Sequence, residues 1–169
     1  MKKILITGVA GFIGYHLCKK LENKFSITGI DNLNNYYDKE LKMNRLKRLS
    51  SNNIFLEIDI TNKKNLDDLF SKNNFDCVIH LAAQAGVRYS FEHPQSYIDS
   101  NIYGTFNILE NLKSCKDTNL IFASTSSAYG LSKEHHPFSE NADSNMPVSL
   151  YAATKNSCEV MIHNYSHNF

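Results

Sequence analysis

The chain has 169 residues, enough for one domain with a full hydrophobic core. Its hydrophobic fraction of 42% and charged fraction of 21% fit a globular protein and exclude a disordered one. A formal net charge of +1, with no long basic or acidic run, gives no electrostatic case for nucleic acid or an anionic membrane as partner.

Ile4, Leu5 and Ile6 predict a buried first strand, and glycines follow at positions 8, 11 and 14. Phe12, Ile13, Leu17 and Leu21 then recur at helical spacing. Strand, glycine turn and helix together describe a phosphate cradle. Glycine lets the backbone turn tightly and approach a pyrophosphate, whose charge rests on the unpaired N–H groups of the new helix. The spacing is Gly8-x-x-Gly11-x-x-Gly14, one residue longer in its first gap than the commoner dinucleotide fingerprint. Lys2 and Lys3 ahead of an uncharged run imitate a secretory leader. Gly8, Gly11 and Gly14 interrupt that run, no small-residue cleavage site precedes Lys19, and it is too short to span a bilayer. A cytoplasmic protein is expected. Cys18, Cys77, Cys115 and Cys158 are far apart, without a Cys-x-x-Cys pair, and read as core filler with no metal site expected.

Residues 25–30 predict a second strand that ends at Asp31, 17 positions after Gly14. A carboxylate there accepts hydrogen bonds from the adenosine ribose and repels a 2′-phosphate, which favours NAD over NADP. Residues 36–49 predict a polar helix whose Lys39, Lys42, Arg45, Lys47 and Arg48 read as a solvated face, with the alternative that one lysine reaches a cofactor phosphate. A third strand is expected at 54–58, then Thr61 as the N-cap of a helix at 62–71. The fourth strand, 75–81, runs into the small residues Ala82, Ala83, Ala85 and Gly86, against which a ligand can lie close. A long helix over 95–114 and a fifth strand over 118–123 follow. A loop with Pro137 and Pro147 leads to a last helix at 150–167. Alternating strands and helices predict a doubly wound parallel α/β sheet of Rossmann type, order 3-2-1-4-5.

Tyr151 and Lys155, four apart, share one face of the last helix. A phenol is a weak base at neutral pH, but a neighbouring ammonium and an oxidised nicotinamide stabilise its phenolate. Such a tyrosine removes a hydroxyl proton as hydride leaves the same carbon. Thr125, at the mouth of the fifth strand, is placed to hydrogen-bond the same substrate oxygen.

The glycine loop with Tyr151-x-x-x-Lys155 resembles the extended short-chain dehydrogenase/reductase group, which includes the nucleotide-sugar epimerases and dehydratases. Residues 31–38, 80–90 and 149–155 are similar to those of UDP-glucuronate 4-epimerases. The resemblance implies a catalytic Tyr151, a nicotinamide-ribose lysine in Lys155 and a hydroxyl partner in Thr125. It implies cofactor contacts along Gly8, Gly11, Phe12, Ile13 and Gly14, from Asp31 and Asn32 at the adenosine ribose, from Asp59 and Ile60 at the adenine, and from Leu81, Ala82 and Ala83. It also implies a structural role for Asn101. Dehydratases of the group carry an acid pair after the hydroxyl residue; here stand Ser126 and Ser127, which leaves epimerisation through a transient 4-keto sugar. With Arg88 as a candidate for a substrate anion, these serines are the expected substrate contacts. The expected partners are a UDP-sugar and a second copy of the chain, docked through the helices at 95–114 and 150–167. The resemblance also implies a chain about twice as long, so 1–169 reads as the cofactor-binding N-terminal part, with the substrate domain and most sugar contacts beyond it. Two alternatives go with that reading: a non-catalytic NAD-binding module, and a 4-epimerase for another UDP-hexose.

Overall fold

Five short apolar runs become five parallel strands in the computed structural model, which describes residues 1–131, 138–139 and 141–169. They are β1 (Lys3–Thr7), β2 (Ser26–Asp31), β3 (Ile54–Glu57), β4 (Cys77–His80) and β5 (Asn119–Phe122). Their order is β3-β2-β1-β4-β5, as the alternating pattern predicted. Leu5 of β1 lies between Thr28 of β2 and Val78 of β4, which fixes the register at the centre of the sheet. Pro137 of the expected loop lies outside the described residues.

The chain forms two compact units, Met1–Ala82 with Glu110–Ala123, and Ala83–Leu109 with Ser124–Phe169. The first holds the whole sheet, with α1 (Phe12–Leu21), α2 (Lys39–Lys47) and α3 (Lys63–Lys72). Ile4 to Thr7 are buried without interruption, so both faces of β1 are covered, as a central parallel strand requires. On one face Ile4, Ile6, Ile27 and Ile79 pack with Val9 and Cys18, and Leu17, Leu21 and Leu46 close over them.

Three helix boundaries differ from the sequence expectation. Asn62, not Thr61, caps α3: its side chain accepts from Asn65 N at 3.1 Å, while the Thr61 hydroxyl donates to Asp59 Oδ1 at 2.7 Å. The helix expected at 36–49 begins at Lys39, because Asn32 and Asn34 hold the chain before it in Asx turns and Asp38 caps the helix through Glu40 N. The helix expected at 95–114 is α5 (Pro94–Tyr97), a π-helical segment Ile98–Tyr103, and α6 (Gly104–Leu112). At the centre of the π segment Asn101 is buried and bonded from three sides. It accepts from Gln84 N at 2.7 Å, donates to Thr154 Oγ1 at 3.0 Å, and its carbonyl accepts from Cys158 Sγ at 3.0 Å. A short α4 (Tyr89–Glu92), a 3₁₀ turn at Ser126–Tyr129 and α7 (Leu150–Asn168) complete the second unit.

Thr7 ends β1 and joins it to the exit of β4. Its Oγ1 accepts from Leu81 N at 3.1 Å and Ala82 N at 3.0 Å, and lies 2.7 Å from His80 Nδ1. With its lone pairs taken, the hydroxyl gives its proton to Nδ1, which puts the imidazole proton on Nε2. Thr7→Val leaves two amides without a partner and is expected to cost about 2 kcal/mol or more in denaturant unfolding, with Thr7→Ser close to the parent. Equal stability of the two variants would contradict this role.

Candidate active site

The glycine turn is shaped by backbone crowding. Gly8 has φ +72°, and a Cβ there would sit 2.9 Å from Ala82 N. At Gly14 a Cβ would lie 2.2 Å from the Gly8 carbonyl oxygen, a clash with main chain that no rotamer relieves. Gly8 N and Val9 N donate to Ile30 O at 2.8 and 3.2 Å, which fixes the turn to the end of β2. Gly11 stands at the N-cap of α1 and offers no side chain to the first amides of that helix. These N–H groups are therefore open to an anion, with the helix dipole behind them. Phe12 and Ile13 are both exposed beside them.

Asp31 is buried at the end of β2. Its Oδ2 accepts from Ala10 N of the turn at 3.2 Å and its Oδ1 from Leu33 N at 2.9 Å. Asn32 donates through Nδ2 to Asp59 Oδ2 at 2.8 Å. Burial pushes the Asp59 carboxyl up, but the bonds from Asn32, Thr61 N and the Thr61 hydroxyl outweigh it and hold the group below its usual value. Ile60 beside it is buried. Gly8, Gly11, Gly14, Asp31, Asn32, Asp59, Leu81 and Ala82 thus all lie in the first unit, at the carboxyl ends of its strands or the turns that follow. A dinucleotide fits this donor set: free helix amides for a pyrophosphate and a fixed carboxylate for ribose hydroxyls.

The second unit carries the tyrosine and the lysine. Ser149 caps α7 by accepting from Ala152 N at 3.1 Å, so Tyr151 falls in its first turn and Lys155 one turn on. Lys155 is only 3% exposed, and burial pulls its ammonium down to about 8. Cys158 and Glu159 on the same helix act in the opposite direction. The Tyr151 ring meets that of Tyr97 edge-on at 6.1 Å. Tyr97 is itself fully buried, and its hydroxyl donates to Ala85 O at 2.7 Å. Thr125 lies at the rim of a cavity of about 460 Å³ lined by Ser124, Ser126, Tyr129, Ser144 and Glu159 among others. Its Oγ1 accepts from Ser127 N at 3.1 Å and so caps the 3₁₀ turn that carries Ser126 and Ser127. Ser124 donates to Glu159, the carboxylate of that wall. Ala83 opens this unit, and Arg88 is exposed at the N-cap of α4.

Sequence periodicity missed four side chains of these sites. Lys42, expected on a solvated face, is buried beside Asp31, and Arg45 donates to Ala10 O at 3.2 Å with its guanidinium 5.8 Å above the Phe12 ring. Tyr97 and Glu159 carry no motif. The only available signal was position: Lys42 and Arg45 fall on the same side of a helix that begins soon after the cofactor acid.

The family model described as GDP-mannose 4,6 dehydratase matches residues 5–169. The chain is 49% identical to Protein CapI of Staphylococcus aureus, over 98% of this chain and 50% of that protein. It is 48% identical to UDP-glucuronate 4-epimerase 1 of Arabidopsis thaliana, over 97% of this chain and 39% of the other. Among solved structures, the UDP-glucuronic acid 4-epimerase of Bacillus cereus in complex with UDP-glucuronic acid and NAD matches with a TM-score of 0.88 at 38% identity, covering 99% of this chain and 53% of that one. The UDP-glucose 4-epimerase of Thermotoga maritima with UDP-glucose matches with a TM-score of 0.86 at 32% identity, covering 99% and 52%. The chain thus spans about half the length of most of these relatives.

Lys155 makes the stability of the chain depend on alkali in a definite direction. Its folded value near 8 lies below the ordinary 10.5, so below pH 8 both states carry the proton and the fold bears the full cost of burying it. Between pH 8 and 10.5 the folded state releases the proton first and that cost is relieved. Lys155→Met is therefore expected to stabilise the chain at pH 7, by on the order of 3 kcal/mol, with the gain shrinking toward pH 10.5. A difference between variant and parent that does not change with pH would contradict this.

Proposed function

Because the chain belongs to the GDP-mannose 4,6-dehydratase family, within the extended short-chain dehydrogenase/reductase group, we propose that it serves the NAD-dependent 4-epimerisation of a UDP-sugar, UDP-glucuronate to UDP-galacturonate. The family's name includes eliminations, and one observation carries the choice of epimerisation. The turn after Thr125 presents Ser126 and Ser127, where loss of water from the sugar needs an acid and a base. The carboxylate of the same cavity wall, Glu159, is engaged by Ser124. A 4-keto sugar formed beside these serines finds in them neither acid nor base to expel its neighbouring hydroxyl, so it is reduced again.

Tyr151 as phenolate takes the C4 hydroxyl proton, and the same phenol later returns it to the C4 oxygen. Thr125 hydrogen-bonds that oxygen in both directions. Lys155 holds the nicotinamide ribose. NAD, when bound, supplies reversible hydride acceptance at C4, so the cycle is redox-neutral. The carboxylate of Asp31 selects the ribose over its 2′-phosphate, and Arg88 is the candidate for the sugar carboxylate or another substrate anion. A cytosolic location accompanies this reading; among the described residues no helix is long and apolar enough to cross a membrane.

UDP-galacturonate formed on incubation with UDP-glucuronate and NAD would support the enzyme, and Tyr151→Phe is then expected to abolish it. Full turnover by Tyr151→Phe would contradict the mechanism. Saturable NAD binding without product would favour the non-catalytic module, and product from UDP-glucose or an N-acetylated UDP-hexose alone would reassign the sugar.

A homodimer belongs to the same proposal. Ile98, Tyr103 and Phe106 on the helix after Pro94, and Val160 on α7, are large apolar side chains left exposed. Sedimentation at rising concentration is expected to show a dimer, and a monomer throughout would count against it.

A further inference from the structure

A buried lysine stands beside the buried acid of the cofactor site, and nothing in the redox cycle uses it. Lys42 is 5% exposed and Asp31 8%, with Lys42 Nζ 3.8 Å from Asp31 Oδ1. That separation is too long for a direct hydrogen bond. The ammonium instead spends two of its three donors on Asn34, at 3.0 Å to the carbonyl oxygen and 2.9 Å to Oδ1. Both Asp31 oxygens are themselves held by backbone amides, Ala10 N and Leu33 N, so the carboxylate cannot swing to close the gap. Burial lowers the Lys42 ammonium, with Asp31 opposing that loss. The acid and the cation are thus each held by other groups and stand side by side without bonding each other directly.

We propose that Lys42 is a specificity residue of the adenosine ribose site: its third N–H hydrogen-bonds the ribose 2′-oxygen, whose own proton goes to Asp31. This rests on the NAD reading above. An oxygen about 2.8 Å from each group sits beside the 3.8 Å pair and sees the two at an angle of about 85°, tighter than tetrahedral, and a small rotation of the lysine head widens it. A hydroxyl satisfies both neighbours at once, because it donates one bond and accepts another. A 2′-phosphate dianion can accept from Lys42 but has no proton for Asp31. The pair therefore selects a neutral hydroxyl, where an acid alone would only repel a phosphate.

Calorimetric titration of the chain with ADP and with 2′-deoxy-ADP tests this. ADP is expected to bind the parent about tenfold or more tightly than its deoxy analogue. In Lys42→Met that ratio is expected to shrink at least threefold. Lys42→Gln, which keeps a polar side chain against Asn34, carries the same test should the methionine variant fail to fold. An unchanged ratio in a folded variant, or a parent that does not distinguish the two nucleotides, would overturn the role of Lys42 while leaving NAD binding in place. A parent that binds neither nucleotide nor NAD would overturn the cofactor reading itself, and this proposal with it.

Discussion

One hydroxyl decides the geometry at the centre of the first unit. β1 and β4 are neighbours in the sheet, but the chain leaves them in opposite directions: β2 and β3 lie to one side, β5 to the other. Ligands of open parallel sheets bind at such a divergence, outside the carboxyl ends of the strands. Thr7 Oγ1 fastens the two exits together by accepting from Leu81 N and Ala82 N and donating to His80. The approach is so close that only glycine fits at position 8. The cradle is therefore a consequence of strand pairing and one buried polar network. Its free amides at α1, the fixed Asp31 and the Asn32–Asp59 contact all hang from the same strand ends.

The second unit holds its helix by a different device. α7 is nearly featureless as an amphipathic helix, yet it is buried at Ala152, Thr154, Lys155 and Cys158. Thr154 and Cys158 both bond Asn101, one through its side chain and one through its carbonyl, so the π-helical segment and α7 are fixed to each other. Asn156 adds a bond to Ser144 O at 2.7 Å, and the Tyr97 ring backs Tyr151. These contacts fix the part of α7 that carries Tyr151 and Lys155. The depressed ammonium of Lys155 is the electrostatic cost of that placement.

The strand order and the cradle were legible because both follow from periodicity and glycine spacing, signals written in consecutive residues. Tyr151, Lys155 and Thr125 stand out through spacing and strand ends, and all three lie in the second unit. Lys42 does not stand out. Among the five basic residues of 36–49 nothing in the pattern distinguishes a lysine facing water from one drawn under the chain by Asn34. The π segment escaped for a related reason, since Ile98 and Ile102 keep helical spacing while the partners of Asn101 at its centre, Gln84, Thr154 and Cys158, are distant in sequence. Thr61 looked like a cap until Asp59, two residues before it, took its hydroxyl.

An amide NMR titration of the chain with NAD tests whether the turn from Gly8 to Gly14 and the exit of β4 act as one dinucleotide cradle. The expected result is saturable shifts concentrated at Phe12, Ile13, Gly14, Leu33 and Ala82, with the amides of α3 unmoved. Shifts that do not saturate, or that cluster away from the ends of β1, β2 and β4, would contradict it.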